Sequence, residues 1–300
     1  MSNDESQAMS MRLAIAAPIR SEAPYLLEWI AYHRSLGIEY FFLADNGGDD
    51  DTSALLQALD RCGIVTRLDW RGHRYFQLAF YQQAIELARQ SADGLFLIDA
   101  DEFLRPEVSD GSLAGLVQAW FADDAASAVA INWAIYGTSG EIRMRDLPVI
   151  ERFRRRAPQD YSINRHVKSL VRVDRCSGPD VTPHAVTLRS GGYVNTRGEP
   201  VEWDQSKVAM GITKKVVWDR LRIDHFVLKS RAEFERKRER GSAMAPRSAT
   251  QRFKDEYFTA HDRNDVDDPM PAILVERMKA ELRRISDTLA GAVGSASSAV

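Results

Sequence analysis

Three carboxylates fall within four positions, at Asp99, Asp101 and Glu102, directly after the apolar run GLFLI at 94–98. An unpaired carboxylate that leaves water loses solvation, which only a counter-charge or a metal can replace. If the run is a strand that continues through Asp101, then Asp99 and Asp101 point to one face, because side chains alternate along a strand. Two carboxylates on one face suit Mg²⁺ or Mn²⁺, which complete their shells with water and phosphate oxygens. We therefore predict a divalent cation at Asp99 and Asp101.

The same Asp-Ala-Asp motif also fits a strand-end turn with hydrated acids, which is the commoner outcome for an isolated motif of this kind. A calcium loop is disfavoured because the fifth position of the motif, Phe103, is apolar and no glycine follows it. The elements that position the motif must decide between the two interpretations.

Short apolar runs and segments of helical period alternate along the first hundred residues, which is typical of a mostly parallel α/β sheet with helices on both faces. Strands are predicted at 12–18, 38–45, 64–70 and 94–101, and helices at 23–37, 51–63 and 74–91. In such a sheet, ligands bind beyond the carboxyl ends of the strands. The polar segments PIRSE, DNGGDDDT and DADEF lie at three of these ends, so we expect a binding site there.

The overall composition excludes several classes of protein. Lys and Arg number 40 against 43 Asp and Glu, and the net charge of -3 gives no general reason to bind nucleic acid. The two cysteines, Cys62 and Cys176, form no CxxC pair, which favours a reducing compartment. The sequence has neither the pattern of a signal peptide nor an apolar run long enough for a membrane span. We expect a cytoplasmic protein, with peripheral contact at the inner face of a membrane left open.

Five segments then carry a resemblance to a known family. They are SEAPYLLEWIAYHRSLGIEYFFLADNGGDDDT, LFLIDADEFL, INWAIYGTSG, HVKSLVR and IDHFVLKSRAEFERKRERG. Their content and order resemble the nucleotide-diphosphate-sugar glycosyltransferases of the GT-A fold, particularly the family 2-like and family 92-like members. The resemblance covers roughly residues 12–241.

This resemblance implies a GT-A-like α/β fold with an irregular acceptor-side C-terminal half. It also implies inverting transfer of a sugar from a nucleotide-diphosphate donor, with a UDP-sugar favoured, to a carbohydrate or lipid-linked acceptor. The cofactor would be Mn²⁺ or Mg²⁺. The expected domains are a disordered N-terminus (1–11), a glycosyltransferase domain (12–245) with nucleotide-binding (12–106) and acceptor (107–245) halves, a C-terminal helical appendage (246–293) and a disordered tail (294–300).

The family's roles can be assigned where positions match. Asp45 would contact the nucleoside, Asp99 the ribose and the metal, and Asp101 the metal. Glu22, beside the end of the first strand, would help to hold the base or the ribose. His225 alternates with apolar residues in LRIDHFVL, which is more often the pattern of a core histidine. The resemblance favours His225 as a ligand of the metal or the diphosphate, a role for which neutral imidazole is competent.

Further donor-binding residues are sought among the cations. Lys168, with some arginines of RFRRRAPQDYSINRHVK, would neutralise the diphosphate, although a solvated loop fits this segment equally well. Arg20 is also a donor-binding candidate, but it and Ser21 stand where Lys and Asn are common in the family. The helix AEFERKRERG is interpreted as a salt-bridged face, with Glu233 and Lys237 as one pair.

An inverting transfer needs a carboxylate that deprotonates the acceptor hydroxyl. Glu141, Asp146 and Glu151 follow the strand that contains Trp133. Glu151 is the predicted base, because its apolar neighbours indicate partial burial, which raises a carboxyl pKa. Trp133 and Tyr136 are predicted acceptor contacts, with a place in the core as the alternative.

Two other functions remain open from the residues alone. One is another metal-dependent nucleotide or phosphate enzyme on a doubly wound sheet, which is weakened because the sequence has no GxxxxGK[ST], GxGxxG or DxDxT motif. The other is a non-catalytic sugar or membrane-surface binding module that uses the C-terminal amphipathic helix.

Overall fold

The computed structural model describes residues 11–107, 111–207, 210–240 and 255–297. The N-terminus predicted to be disordered therefore lies almost wholly outside the described residues. The domain boundary predicted after residue 245 and the last three residues of the predicted tail also lie outside them.

The described chain contains one large mixed sheet and two small two-stranded sheets. The strands of the large sheet are β1 (Leu13–Ile19), β2 (Tyr40–Asp45), β3 (Thr66–Asp69), β4 (Gly94–Leu97), β5 (Glu102–Pro106), β6 (Ala126–Ile135), β8 (Val167–Arg172), β11 (Gly192–Val194) and β12 (Leu221–His225). The small sheets pair β7 (Arg155–Arg156) with β13 (Val266–Asp267), and β9 (Cys176–Pro179) with β10 (Val186–Leu188). The helices are α1 (Ala23–Ser35), α2 (Thr52–Arg61), α3 (Gln77–Ala88), α4 (Leu113–Phe121), α5 (Val149–Arg152), α6 (Arg231–Arg240), α7 (Asp255–His261) and α8 (Ala272–Ser297).

The large sheet has the strand order β3-β2-β1-β4-β8-β6-β12-β5, and β11 pairs with β6. The first four strands in this order are parallel. Strand β8 is antiparallel to both of its neighbours, whereas β12 is parallel to β6 and antiparallel to β5. Most neighbouring pairs are therefore parallel, and the antiparallel pairs lie in the half built largely from the second part of the chain.

Helices pack on both faces of this sheet. The odd-numbered residues of β1, from Leu13 to Ile19, belong to a core shared with α1, α2, α4 and α8. Ala14 and Ala16 point the other way, into a second core shared with α3. The prediction of an α/β fold with a mostly parallel sheet and helices on both faces is confirmed.

Helix α1 fixes the position of the strand that follows the acidic motif. Pro24 lies in the first turn of the helix, where its missing N–H costs no hydrogen bond. The buried side chains of Trp29 and Tyr32 donate hydrogen bonds to the carbonyl oxygens of Glu102 and Leu104 in β5. These bonds anchor β5, and with it the end of the turn that carries the acids.

The strand predicted at 94–101 is shorter than expected. Strand β4 ends at Leu97, and the chain turns between Asp99 and Glu102, where the Glu102 N–H donates to the Asp99 carbonyl oxygen at 3.1 Å. The chain leaves β4 at this turn because the next strand, β5, does not pair with β4. Strand β5 lies at the edge of the sheet, antiparallel to β12. The predicted alternation of Asp99 and Asp101 along one strand is therefore wrong, and a turn positions both carboxylates.

The C-terminal helix α8 packs against α1 and joins the main core through Leu274, Met278 and Ile285. Arg34 Nε donates to Glu281 Oε1 at 2.7 Å across this contact. The helix continues to Ser297, beyond the end of the predicted appendage at residue 293.

Candidate active site

Four elements bring polar side chains together beside the turn that follows β4. The turn itself carries Asp99 and Asp101, β8 carries Lys168, β12 ends at His225, and α6 carries Lys237. Four of these five residues were predicted for the site from the sequence. The fifth, Lys237, was assigned to a salt-bridged helix face.

Asp99 is held by two donors from neighbouring elements. Its Oδ2 accepts a hydrogen bond from Lys168 Nζ at 2.8 Å, and its Oδ1 accepts one from Gln77 Nε2 at 3.1 Å. Lys168 has no solvent exposure. Burial lowers the pKa of Lys168, but the carboxylates of Asp99 and Glu102 outweigh burial and raise that pKa above its ordinary value. The lysine is thus a fixed internal counter-charge for the acidic turn.

Glu102 lies beneath the turn and is fully buried. One oxygen, Oε2, accepts the Asp99 N–H at 2.9 Å and is 3.8 Å from Lys168 Nζ, whereas Oε1 has no hydrogen-bond partner within the part of the chain described. Burial, together with the nearby carboxylates of Asp99 and Asp101, raises the pKa of Glu102 well above its usual range. Glu102 therefore fixes the backbone of the turn.

Asp101 has a different set of neighbours. Its Oδ2 accepts a hydrogen bond from Lys237 Nζ, and its Oδ1 lies 3.5 Å from His225 Nε2. Burial raises the pKa of Asp101, but Lys237 and His225 outweigh burial and hold that pKa well below its usual range. Asp101 is therefore ionised at neutral pH.

His225 lies between Asp101 and an aromatic wall. Its ring centroid is 4.4 Å from that of Trp133, which also stacks on His166 at 5.0 Å and meets His184 edge-on at 5.3 Å. Burial lowers the pKa of His225, so the imidazole is neutral at neutral pH. His225 Nδ1 and Trp133 Nε1 are both buried, and neither has a hydrogen-bond partner among the residues that the structure describes.

The fit of a divalent cation can be tested on this donor set. Within the described ranges, no group of three or more His, Cys, Asp or Glu side chains converges on one point. Asp101 and His225 are neighbours, but Asp99 turns to Lys168 instead of completing the predicted set of three ligands. Mg²⁺ and Mn²⁺ need only one or two protein ligands when phosphate oxygens supply others. An ionised Asp101 beside a neutral imidazole, whose Nε2 faces the same carboxylate, fits such an ion.

A cavity of about 270 Å³ opens beside Lys237, between the N-terminus of α1 and helix α6. Its lining includes Ser21, Glu22, Tyr25, Lys229, Arg236 and Lys237. Glu22, a predicted donor-binding residue, lies in this wall with one carboxylate oxygen 3.5 Å from Lys229 Nζ. The Lys229 ammonium also lies 4.2 Å from the centre of the Tyr25 ring. The cavity is thus lined by both signs of charge, and Lys237 in its wall bonds to the Asp101 carboxylate.

A buried ion pair supports the wall of this cavity. Arg152 donates two hydrogen bonds to Glu233, at 2.7 and 2.9 Å, and Tyr25 Oη donates to the same carboxylate at 2.7 Å. Burial raises the pKa of Glu233, but the bonds from Arg152, Ser230 and Tyr25 outweigh burial and lower that pKa to about 2. Arg152 is buried, so it does not lie in a solvated loop, and the diphosphate contact expected of some arginines in its segment stays a prediction.

The remaining donor-binding candidates lie close to the strand ends. Asp45 ends β2 with no exposure, and its carboxylate accepts from Gly47 N, Ser53 Oγ and Arg67 Nε at 2.7–2.9 Å. It therefore holds the turn after β2, and its predicted contact with the nucleoside stays a prediction. Arg20 is exposed at the end of β1.

The two predicted aromatic contacts have different surroundings. Trp133 lies beside His225 in the site. Tyr136 is 1% exposed, and its hydroxyl donates to the Asp268 carbonyl oxygen at 2.8 Å and accepts from Arg105 and Arg222. Tyr136 therefore belongs to the core, and almost none of its side chain is accessible to an acceptor.

The predicted base, Glu151, is not joined to the acidic turn by any contact within the described residues. Its Oε2 accepts from Lys279 Nζ of α8 at 2.9 Å, and its Oε1 is buried without a partner in the described chain. Its carboxylate therefore has one free acceptor atom and one strong counter-charge. The catalytic role of Glu151 stays a prediction.

Three contributors were not singled out from the sequence. Gln77 and Tyr81 lie four residues apart on the buried face of α3 and are hydrogen-bonded to each other at 3.1 Å, a polar pair that the helical spacing could have revealed. Lys237 gave no such signal, because its neighbours along α6 offered ready partners for a helical pair. The structure instead directs Glu233 to Arg152 and Lys237 to Asp101.

Comparison with known proteins identifies the family. The family model of Glycosyltransferase family 92 matches residues 16–172, which is more than half of the chain. The chain belongs to glycosyltransferase family 92. This membership and the sheet topology agree with the GT-A-like fold class expected from the sequence. The match includes Asp99, Asp101 and Lys168, whereas His225 and Lys237 lie beyond it.

Among curated family 92 proteins, one from Oryza sativa subsp. japonica is 33% identical over 93 residues, which is 31% of this chain and 16% of that protein. Another, from Arabidopsis thaliana, is 26% identical over 145 residues, which is 46% of this chain and 25% of that protein. The chain thus matches no more than a quarter of the length of either relative.

Among solved structures, S. aureus TarS 1-349 in complex with UDP is similar with a TM-score of 0.37 and 10% identity, over 54% of this chain and 47% of that chain. A TM-score this low carries no conclusion about function. Within the described residues, no helix combines the length and the hydropathy that crossing a bilayer requires.

Proposed function

We propose that this chain is a metal-dependent glycosyltransferase that moves a sugar from a nucleoside diphosphate donor to a carbohydrate or lipid-linked acceptor, with inversion at the sugar carbon. A UDP-sugar is the favoured donor. The observation that carries the proposal is the cavity of about 270 Å³ whose lining includes three cationic side chains, Lys229, Arg236 and Lys237, the last of which also bonds to Asp101.

A nucleoside diphosphate leaving group carries several negative charges, and its departure needs positive charge nearby. The cavity walls supply ammonium and guanidinium groups from Lys229, Arg236 and Lys237, in a lining that also carries the carboxylates of Asp49, Asp50, Glu233 and Glu239. Glu22 in the same wall is an acceptor of the kind that binds ribose hydroxyls. The nucleoside is therefore placed near Glu22 and the phosphates towards Asp101.

Asp101 and His225 are the residues that would hold the divalent ion. When bound, such an ion neutralises charge on the departing diphosphate. Asp101 is kept ionised, and His225 is kept neutral by burial, so both are in the protonation state that a metal ligand needs. Asp99, fixed by Lys168 and Gln77, is one-third exposed and is available to a ribose hydroxyl.

Trp133 is the proposed acceptor-side contact, since its indole lies against His225 and its N–H has no partner in the described chain. An aromatic face packs well on the apolar face of a sugar, and a buried N–H gains by meeting a sugar hydroxyl. An inverting transfer sends the proton of the acceptor hydroxyl to a carboxylate, and Glu151 is the proposed one, because its Oε1 has no partner in the described chain.

The other two functions make different demands. A phosphate-cleaving enzyme or a non-catalytic binding module would also tolerate acids at a strand end. Membership of a glycosyltransferase family favours transfer of a sugar over both.

Isothermal titration calorimetry with UDP, GDP and dTDP, each with and without Mn²⁺, tests the donor assignment. We expect Mn²⁺ to tighten binding of one nucleotide, and Asp101→Asn to remove that gain. Asp174→Asn, an exposed acid that pairs only with Arg172 in the described chain, is the matched control. Slow hydrolysis of the corresponding nucleotide sugar would then establish catalysis. Equal affinities with and without Mn²⁺ in the wild type would contradict metal dependence.

A further inference from the structure

The ammonium of Lys237 bonds to Asp101, and the same lysine lines the cavity. It donates to Asp101 Oδ2 and, at 3.0 Å, to the carbonyl oxygen of Val227, just beyond the end of β12. The lysine side chain is 18% exposed and the aspartate side chain 9%, so water screens this pair poorly. This salt bridge therefore connects helix α6 to the acidic turn.

Both oxygens of the Asp101 carboxylate have a neighbour in this arrangement. Its Oδ1 faces His225 and its Oδ2 holds Lys237. A divalent cation bound at Asp101 would lie within a few ångströms of the ammonium, and two positive charges at about 4 Å repel strongly in a partly buried site. The ion and the ammonium therefore exclude each other at this carboxylate.

Lys237 also lines the cavity in which the donor is placed. An ammonium displaced from Asp101 would need a new anionic partner, because leaving it unpaired in a half-buried wall is costly. Five acids line the cavity: Glu22 pairs with Lys229, Glu233 pairs with Arg152, Asp49 and Asp50 accept hydrogen bonds from the start of α1 and α2 and the loop before them, and Glu239 lies on α6 itself. The phosphates of a nucleoside diphosphate carry more negative charge than any one of these carboxylates, and they are the partner that we assign to the displaced ammonium.

We propose that Lys237 is a tethered cation that holds the divalent-ion position at Asp101 in the ligand-free protein and passes to the donor phosphates when ion and nucleoside diphosphate bind together. This inference rests on the proposed donor site and adds its regulation. The ion alone binds weakly, since it must displace a bonded ammonium. The ion and the nucleotide bind cooperatively, since the nucleotide gives that ammonium a new partner.

The experiment titrates Mn²⁺ into the protein with and without UDP, followed by calorimetry and by the electron paramagnetic resonance signal of free Mn²⁺. In Lys237→Met, we expect Mn²⁺ alone to bind about tenfold tighter or more, because nothing has to be displaced. We also expect the gain in Mn²⁺ affinity on adding UDP, about tenfold in the wild type, to shrink to less than threefold in the variant. No catalytic turnover is needed for either measurement.

The matched control is Arg238→Met. Arg238 is the next residue of α6 and carries the same charge, but its guanidinium lies 3.7 Å from Asp255. We expect this variant to titrate like the wild type. If Lys237→Met does not fold, as judged by circular dichroism, Lys237→Gln provides a second test, because a neutral amide also releases the carboxylate and keeps a donor for Val227.

The possible outcomes separate the two proposals. Equal Mn²⁺ affinities in the wild type and in both Lys237 variants would overturn the tethered cation, while Mn²⁺-dependent UDP binding in the wild type would leave the donor site standing. Weaker binding of Mn²⁺ alone in the variants would also overturn it. Failure of every protein to bind Mn²⁺, even with UDP present, would overturn both the inference and the metal dependence of the proposed function.

Discussion

Lys168 Nζ lies 2.8 Å from Asp99 Oδ2, at the place where the parallel half of the sheet meets its first antiparallel strand. The contact crosses from β8 to the turn after β4, since Ser169 is paired with Leu97 in the register of these strands. A completely buried ammonium on β8 thus provides positive charge beside Asp99 and Glu102 of the acidic turn. A metal is therefore not needed to neutralise all three acids of the turn.

Removing this ammonium should destabilise the protein. Lys168→Met leaves Asp99 and the buried Glu102 without their counter-charge, and breaking a buried pair on one side costs about 3–5 kcal/mol of unfolding free energy. Urea denaturation measures the loss. The double variant Lys168→Met with Asp99→Asn should lose less than the sum of the single variants, because the amide carries no charge that needs the ammonium. Additive losses would show that Lys168 and Asp99 do not interact.

Helix α6 should depend on the pair between Arg152 and Glu233. Glu233→Gln leaves a buried guanidinium without its carboxylate, so we expect a loss of about 3–5 kcal/mol in urea denaturation. Glu235→Gln is the control on the same helix, because Glu235 forms an exposed pair with Arg231 worth less than about 0.5 kcal/mol. Similar losses in the two variants would mean that the buried pair contributes no more than a surface pair.

The stability of the protein should fall in mild acid because of His33. Burial lowers the pKa of His33 from 6.5 to about 3. The geometry agrees, since Nδ1 faces the Trp29 carbonyl oxygen at 2.8 Å while Nε2 accepts the Leu104 N–H at 3.3 Å, an arrangement that only the neutral ring allows. The unfolded chain takes up a proton below 6.5 and the folded chain does not. The stability that the neutral His33 contributes is therefore fully present above pH 6.5 and is lost as the pH falls towards 3.

Between pH 6.5, the ordinary pKa of histidine, and about pH 4, the contribution of His33 to the free energy of unfolding falls by about 3 kcal/mol. Urea denaturation across that range should show a shallower pH dependence in His33→Gln than in the wild type. His73→Gln, a change at an exposed histidine, should keep the slope of the wild type. Identical slopes in all three proteins would assign the acid sensitivity to other groups.

Local pattern was sufficient to predict much of the fold. The alternation of apolar runs and helical segments placed the first four strands and three helices, because each buries its own periodic face against the sheet. It failed at the end of β4, where Asp99 and Asp101 follow an apolar run without a break in the pattern. That strand ends because β5 must run antiparallel to β12, and this pairing joins residues more than a hundred positions apart.

The site was predicted in part for a similar reason. Asp99 contacts Lys168 and Asp101 lies beside His225, since each stands at a strand end or on a strand that the topology brings to one edge, whereas the roles expected of them in binding stay predictions. The partner of Asp101 could not be predicted, because Lys237 lies 136 positions away on a helix with several nearer acids. Sequence spacing ranks local ion pairs first, whereas burial in the folded protein favours the distant one.

The last prediction concerns Glu151, where a catalytic base and a structural ion pair predict different results. Two variants separate these roles, because Glu151→Gln removes the carboxylate whereas Lys279→Met removes only its partner. If Glu151 takes the acceptor proton, Glu151→Gln should lower kcat by about 10²–10⁴-fold, since the amide cannot accept that proton. Lys279→Met should change kcat far less.

Both variants break the same partly exposed pair, so each should cost no more than about 1 kcal/mol in urea denaturation. The decisive comparison is therefore kcat at matched stability, measured with the nucleotide sugar that the binding experiments select. A KM for the donor that stays near the wild-type value would show that the loss lies in proton transfer and not in donor binding. Equal and small losses of kcat in Glu151→Gln and Lys279→Met would remove Glu151 as the base and leave it as the residue that ties α5 to α8.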